Sequence, residues 1–207
     1  MNMKRIILYH GSDREVRVED IKFPGPRPDC DFGRGFYTTP YAAIAEEWVR
    51  KELTPTINMY EFIYKTDDTI TLLDTNWLKA VIGCREGLYN VTFTKNIVIG
   101  AIADDRMNEA LPAFLTNSIF SIGDKRLFEC LTLVKLGDQF VLKNNTNGLT
   151  FIKSYILKGK MLQDALQRHN DRRHNIKYIL EGINRKQYHD EKFLDDYVKE
   201  CKNGIAF

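Results

Sequence analysis

The chain has 207 residues, of which 43% are hydrophobic, and its 30 basic and 28 acidic side chains leave a formal charge of +2. This composition is typical of a globular protein with one sizeable core, and its near balance of charge excludes a uniformly basic protein built to cover nucleic acid or an anionic membrane. The four cysteines lie far apart, unlike those of a zinc site or a disulfide scaffold, and no apolar run suits a membrane helix or a secretory signal. We therefore expect a cytoplasmic protein.

The predicted elements begin with a buried strand and a proline-containing connection, followed by a short strand at Tyr37 and a helix from Tyr41. Strands are predicted at residues 4–9, 57–64, 97–102, 139–142 and 149–155. The last of these is expected to return from the turn-rich segment that ends the strand before it. Helices are predicted at residues 74–82, 108–115 and 124–134.

Beyond residue 157 the pattern changes to helices, predicted at residues 160–169, 175–183 and 190–202. We therefore expect an α+β domain over residues 1–157 and a C-terminal helical appendage over residues 158–207. The first half of the appendage is basic. Because aromatic residues do not interleave these charges, they indicate a solvated helix face more than a nucleic-acid contact.

Two short motifs carry the candidate chemistry. The first, Leu8-Tyr9-His10-Gly11-Ser12, ends an apolar run with a histidine and a glycine. A histidine there can hydrogen-bond a ribose hydroxyl, and a glycine leaves its backbone open to a carboxamide. The second, Asp31-Phe32-Gly33-Arg34-Gly35-Phe36-Tyr37-Thr38-Thr39, places an aromatic ring just after a glycine-rich turn. Such a ring can stack on a flat, electron-poor pyridinium.

Together these motifs resemble the His-Tyr-Glu branch of the ADP-ribosyltransferase superfamily, which includes diphtheria toxin and the poly-ADP-ribose polymerases. There, Tyr-His-Gly-Ser/Thr opens the first strand and Gly-Phe-Tyr-Ser/Thr-Thr opens the second. The strand ending at Asp104-Asp105 and the strand that starts with Gln139 are similar to those of small uncharacterised bacterial members. The resemblance covers residues 6–155 in sparse blocks and implies split, mostly antiparallel sheets that form an NAD cleft.

The resemblance assigns catalytic roles to His10, Tyr37 and Gln139. It implies that His10 contacts a ribose hydroxyl, that Gly11 meets the carboxamide, and that Tyr37 and Trp48 hold the nicotinamide between two rings. Arg34 would reach the pyrophosphate. Thr38 and Thr39 supply hydroxyls for ribose or for fixing the strand. The full implied NAD-binding set is Tyr9, His10, Gly11, Ser12, Arg34, Gly35, Phe36, Tyr37, Thr38, Trp48 and Asp105, with no metal.

The third motif departs from the glutamate of the well-studied enzymes. Gln139 can accept a hydrogen bond from ribose but gives no negative charge to the oxocarbenium-like centre that develops as nicotinamide leaves. Loss of one such electrostatic group commonly costs about 10² to 10³ in rate. Asp138, Asp104 or Asp105 could supply the charge, and Asp105 is the preferred reserve.

The expected function is transfer of ADP-ribose from NAD, used as a co-substrate, to an unknown protein or nucleic acid. The resemblance also implies a bacterial toxin-like enzyme that is paired with an antitoxin or serves in phage defence. Three alternatives stay open: an NAD glycohydrolase, an RNA 2′-phosphotransferase, whose motif arginines are absent here, and a binding module for NAD or ADP-ribose without catalysis. His10, Tyr37 and Trp48 are also each compatible with a structural role.

Overall fold

The computed structural model describes residues 2–103, 114–115, 122–132, 136–171 and 187–207. The strands are β1 (Met3–Ser12), β2 (Phe36–Thr38), β3 (Thr56–Lys65), β4 (Thr69–Leu72), β5 (Val91–Thr92), β6 (Ile97–Ala101), β7 (Asp138–Leu142), β8 (Leu149–Ile156) and β9 (Ile205–Ala206). The helices are α1 (Ala42–Val49), α2 (Asp74–Glu86), α3 (Asp124–Thr132), α4 (residues 160–171) and α5 (Leu194–Glu200). Short 3-10 turns lie at Val18–Asp20 and Thr66–Asp68.

Two sheets dominate the described part of the chain. The first has the order β1-β3-β8 and is antiparallel, and the second has the order β2-β7-β6-β4 and is mixed because β4 and β6 run parallel. The short strands β5 and β9 form a separate parallel pair. The predicted α+β class is confirmed.

The core follows from strand alternation, which sends neighbouring side chains to opposite faces of a sheet. On one face of the second sheet lie the side chains of Phe36, Phe140 and Leu142, which pack against Leu8 and Phe62 of the first sheet. The opposite face of the second sheet packs against α2 in another cluster, which includes Phe32, Trp77, Leu78, Val98 and Val141. The second sheet therefore has a buried layer on both faces.

The strand expected to return from the turn after β7 is present as β8. It pairs with β3 of the first sheet and not with β7. Gly148, with a φ of 85°, lies at this crossing, and its carbonyl accepts a hydrogen bond from Ile63 N at 2.9 Å. The segment after β7 therefore carries the chain from the second sheet to the first.

The C-terminal helices contact the residues before them. Tyr197 of α5 is fully buried in the cluster that contains Trp77, and β9 pairs with β5. On α4, Arg168 forms an ion pair with Glu46 of α1. Part of the helix predicted at 108–115, the end of the helix predicted at 124–134 and the whole helix predicted at 175–183 lie outside the described residues. Among the described residues no helix is long and apolar enough to cross a membrane.

Removing one hydroxyl should test the link between α5 and α3. Tyr197 donates a hydrogen bond to Asp124 Oδ2 at 3.1 Å, and its ring is fully buried. We expect Tyr197→Phe to lower the free energy of unfolding by about 1.5 kcal/mol, because a partly buried carboxylate loses a hydrogen bond. Urea unfolding measures the change, and the matched control is Tyr41→Phe, since Tyr41 is 47% exposed. Equal effects of the two substitutions would contradict the expectation.

Candidate functional site

The two motifs meet where the first sheet touches the second. Tyr9 N donates to Thr39 O at 2.8 Å, and Thr39 N donates to Tyr9 O at 3.0 Å. This pair is the isolated bridge between β1 and the end of β2. It brings His10, next along β1, beside Tyr37.

Beyond this bridge none of the described strands pairs with the edge of β1 that faces β2, and we call this unpaired edge, on which Gly11 lies, the opening. Residues of an antiparallel strand alternate between facing one neighbour and facing the other with both their N–H and C=O groups. Because Tyr9 turns both groups toward Thr39, Gly11 turns both of its own groups to the same side, away from β3. None of the described residues bonds to them across the opening, so this edge offers one donor and one acceptor.

His10 lies beside the opening. Its Nδ1 lies 2.8 Å from Tyr37 O, and its ring centroid lies 4.4 Å from that of Phe36. Because a carbonyl oxygen can only accept, Nδ1 carries the proton, and in the neutral ring Nε2 is an acceptor. Burial lowers the pKa of His10 below its usual value, which favours this neutral form.

Gly11 also lies against α1. A Cβ added at Gly11 would sit 2.5 Å from Val49 Cγ1 and 2.8 Å from Ala45 O, closer than van der Waals contact allows. The glycine of the first motif therefore has a packing reason as well as the predicted functional one. Trp48, the predicted second ring, is partly buried on the same helix and belongs to none of the core clusters among the described residues.

The serine of the first motif forms hydrogen bonds where the chain leaves the end of β1. Ser12 Oγ accepts from Asn58 Nδ2 at 2.9 Å and donates to Arg14 O. Asn58 is fully buried and also accepts from Val16 N at 2.8 Å through Oδ1. Asn58 therefore fixes this exit, a role that was missed because nothing in its own strand sequence pointed to it.

Tyr37 and Gln139 lie on the same face of the second sheet, opposite the face that carries Phe36. The register pairs Tyr37 with Val141, two residues from Gln139. The Tyr37 hydroxyl donates to Gly33 O at 2.6 Å and accepts from Phe32 N at 3.0 Å. Burial raises the pKa of Tyr37, so the phenol stays neutral.

Gln139 belongs to a buried polar network that sequence reasoning missed. Its Nε2 donates to Asp31 Oδ2 at 2.6 Å and to Ala101 O at 3.2 Å. Asp31 also accepts from Ala103 N at 2.9 Å and pairs with Arg85 of α2, whose Nε lies 2.7 Å from Oδ1. Gln139 and Asp31 are only 2% and 5% exposed. The three predicted catalytic residues thus form two groups, His10 at the opening and Tyr37 with Gln139 beneath the segment 31–33.

Lys143 holds the same segment from the other side. Its ammonium donates to Phe32 O at 2.6 Å and to Arg34 O, and it lies 4.8 Å from the centre of the Phe93 ring. Burial lowers the pKa of Lys143 to about 8. Lys143, like Asp31, therefore ties this segment to the second sheet.

The remaining predicted residues have contacts within the protein. Arg34 Nη1 donates to Gly25 O and Pro26 O, each at 2.8 Å. Thr38 and Thr39 donate to backbone carbonyls of β7 at 2.8 and 3.0 Å. Phe36 is a core residue, and Gly35 lies so close to β7 that an added Cβ would be 2.6 Å from Val141 Cγ1. Asp104 and Asp105 lie outside the described residues.

A cavity of about 410 Å³ lies elsewhere, beside α2, α3 and α5. Leu78, Phe128 and Tyr197 contribute to its wall, and none of the predicted site residues does. Within the described ranges, no group of three or more His, Cys, Asp or Glu residues could hold a metal ion.

Comparison with known proteins places the chain in one family. Residues 6–153 match the family described as "Protein of unknown function (DUF3990)", so the chain belongs to that family. The match covers both motifs, the opening and Gln139 and ends within β8. No curated protein and no solved structure matches the chain.

Proposed function

We propose that this protein is an ADP-ribosyltransferase that consumes NAD, moves ADP-ribose onto a macromolecule and releases nicotinamide. The observation that carries the proposal is the unpaired edge of β1 beyond the Tyr9–Thr39 bridge, where the backbone groups of Gly11 lie next to the imidazole of His10. The resemblance of the two motifs to the His-Tyr-Glu branch supports the same reading.

The opening suits a nicotinamide nucleotide chemically. A carboxamide has one acceptor and one donor group, and the free N–H and C=O of Gly11 are their complement. His10 Nε2, left as an acceptor by the Nδ1 bond to Tyr37 O, can receive a hydrogen bond from a ribose hydroxyl. Tyr37 offers a neutral ring for stacking, and Trp48 lies on the helix that packs against Gly11.

The reaction would proceed at the ribose carbon that carries the nicotinamide. The bond between that carbon and the pyridinium nitrogen breaks, and its electron pair leaves with nicotinamide, which becomes neutral. Positive charge then builds on the ribose, as in glycoside hydrolysis. A nucleophile of the acceptor forms the new bond to the carbon and gives its proton to solvent. The chain's part is to hold the base and the ribose still while this occurs.

The acceptor we propose is a protein or a nucleic acid. A bacterial toxin-like enzyme, held in check by an antitoxin or used in phage defence, is the biological setting that the resemblance implies. With water as the acceptor, the same site would act as an NAD glycohydrolase.

Incubation of the purified protein with NAD labelled in its adenylate half, with and without bacterial lysate, tests the proposal. We expect nicotinamide release together with label on a macromolecule. Free ADP-ribose without a labelled macromolecule would identify a glycohydrolase instead. If the wild-type protein releases no nicotinamide with any lysate, the transferase proposal is wrong.

A second candidate is a module that binds NAD or ADP-ribose without catalysis. The observation that favours it is Gln139, which is uncharged, almost fully buried and bonded to Asp31. Calorimetry that shows tight NAD binding in a protein without turnover would support this candidate.

A further inference from the structure

The Asp31–Gln139 pair joins two elements that are 108 positions apart in the sequence. Asp31 lies in the connection before β2, and Gln139 lies in β7. Both are buried, and the carboxylate is held by two further donors, Arg85 and Ala103 N. A buried carboxylate that is paired and fully hydrogen-bonded keeps a defined position and orientation.

This arrangement decides which end of the Gln139 amide faces which neighbour. Both Asp31 Oδ2 and Ala101 O are acceptors, and Nε2 donates to both. Reversing the amide would set its oxygen against two acceptors at 2.6 and 3.2 Å, which is repulsive. Within the described part of the chain no group donates to Oε1, so Oε1 is the atom left to accept a hydrogen bond from a substrate.

We propose that Asp31 is the positioning residue of Gln139 in NAD cleavage, orienting its amide so that Oε1 accepts from the ribose. The inference rests on the proposed function. Asp31 also polarises the amide, since a hydrogen bond to a charged acceptor strengthens the acceptor at the other end of the same group. In the enzymes that the resemblance points to, the negative charge lies on a glutamate of the third motif. Here the charge lies on Asp31, in the segment before β2, and acts through its hydrogen bond to Gln139.

Several titratable side chains lie around the Asp31–Gln139 pair. Arg85 faces Asp31 from α2, and the thiols of Cys30 and Cys84, the Tyr37 phenol and the Lys143 ammonium surround the segment. Replacing Gln139 by glutamate would set a second carboxylate 2.6 Å from Asp31 Oδ2, the oxygen that Arg85 does not contact in the hydrogen bonds of the described residues. The new carboxyl must then take up a proton to restore the lost donor, and the like charge raises its pKa.

The experiment compares kcat and KM for nicotinamide release in three variants. We expect Asp31→Asn to lower kcat about tenfold while the KM for NAD changes by no more than about twofold, because the amide loses its fixed orientation. Gln139→Glu should be nearly inactive at pH 8, and both its rate and its unfolding temperature should rise relative to wild type as the pH falls toward 5. The matched control is Asp29→Asn on the same segment, whose side chain is 64% exposed and which should behave as wild type.

An unchanged kcat in Asp31→Asn, or a Gln139→Glu variant that is fully active at pH 8, would overturn this inference and leave the transferase proposal standing. Absence of turnover in the wild type would overturn both. If Asp31→Asn fails to fold, Gln139→Met replaces it, because that change keeps the Arg85 and Ala103 bonds of Asp31 and removes only the amide. A wild-type kcat in Gln139→Met would equally overturn the inference.

Discussion

Replacing Arg85 by methionine is expected to lower the free energy of unfolding by about 3 to 5 kcal/mol, because it leaves a buried carboxylate without its cation. Asp31 and Arg85 have side-chain exposures of 7% and 15%, and two guanidinium nitrogens contact the same carboxylate oxygen. Among the described residues, Asp31 would keep only Ala103 N and Gln139 as partners. Urea unfolding followed by circular dichroism measures the change.

The same segment supplies a matched control. Arg27 and Asp29 form another arginine–aspartate pair, at 3.8 Å, but their side chains are 74% and 64% exposed. Exposed pairs contribute little, so Arg27→Met should change the stability by less than about 0.5 kcal/mol. If both arginine variants lose the same free energy of unfolding, burial is not the reason that the Asp31–Arg85 pair stabilises the fold.

Replacing His10 by alanine is expected to lower the rate of nicotinamide release about 10²-fold, because the ribose loses a fixed contact beside the bond that breaks. The fold should persist, since His10 is only partly buried and its ring hydrogen-bonds a backbone carbonyl. His189→Ala is the control, because that side chain is exposed and lies outside the opening. Equal rates of nicotinamide release in His10→Ala and wild type would show that His10 does not take part in the reaction.

The pH dependence gives His10 a second signature. Nε2 accepts a hydrogen bond only while the ring is neutral, so the rate should fall when His10 takes up a proton. Because burial lowers the pKa of His10, this acid limb should have its midpoint below pH 6.5. The same shift favours the folded state above pH 6.5, and that contribution to stability is lost as the pH falls through the lowered pKa. A midpoint above 7 in kcat/KM would assign the titration to another group.

Local patterns predicted the main elements because those elements depend on local chemistry. The apolar run before His10 forms β1, the glycine-rich turn before Phe36 leads into β2, and the helical spacing from Tyr41 gives α1. The strands β4, β5 and β9 were not predicted. They have four, two and two residues, and their pairing partners lie far along the chain.

The site was less predictable than the fold because its bonds are long-range. The motif around Tyr37 contains Asp31, but nothing near it indicates that Arg85, 54 positions later, would supply its cation. The hydroxyls of Thr38 and Thr39 were expected to face ribose or to fix the strand, and in the structure both bond to β7. Gln139 was correctly placed at the start of a strand, whereas its link to Asp31 required the register between distant segments.

The position of α5 and β9 has a practical consequence for expressing this protein. The family match ends at residue 153, yet Tyr197 and the final residue, Phe207, pack in the cluster that covers α2. A recombinant fragment trimmed to the matched region would leave large aromatic and aliphatic surfaces of that cluster facing water, which promotes aggregation. The smallest piece of this chain suited to crystallisation or enzymology therefore includes β9, and an affinity tag is better placed where it does not disturb the pairing of that strand with β5.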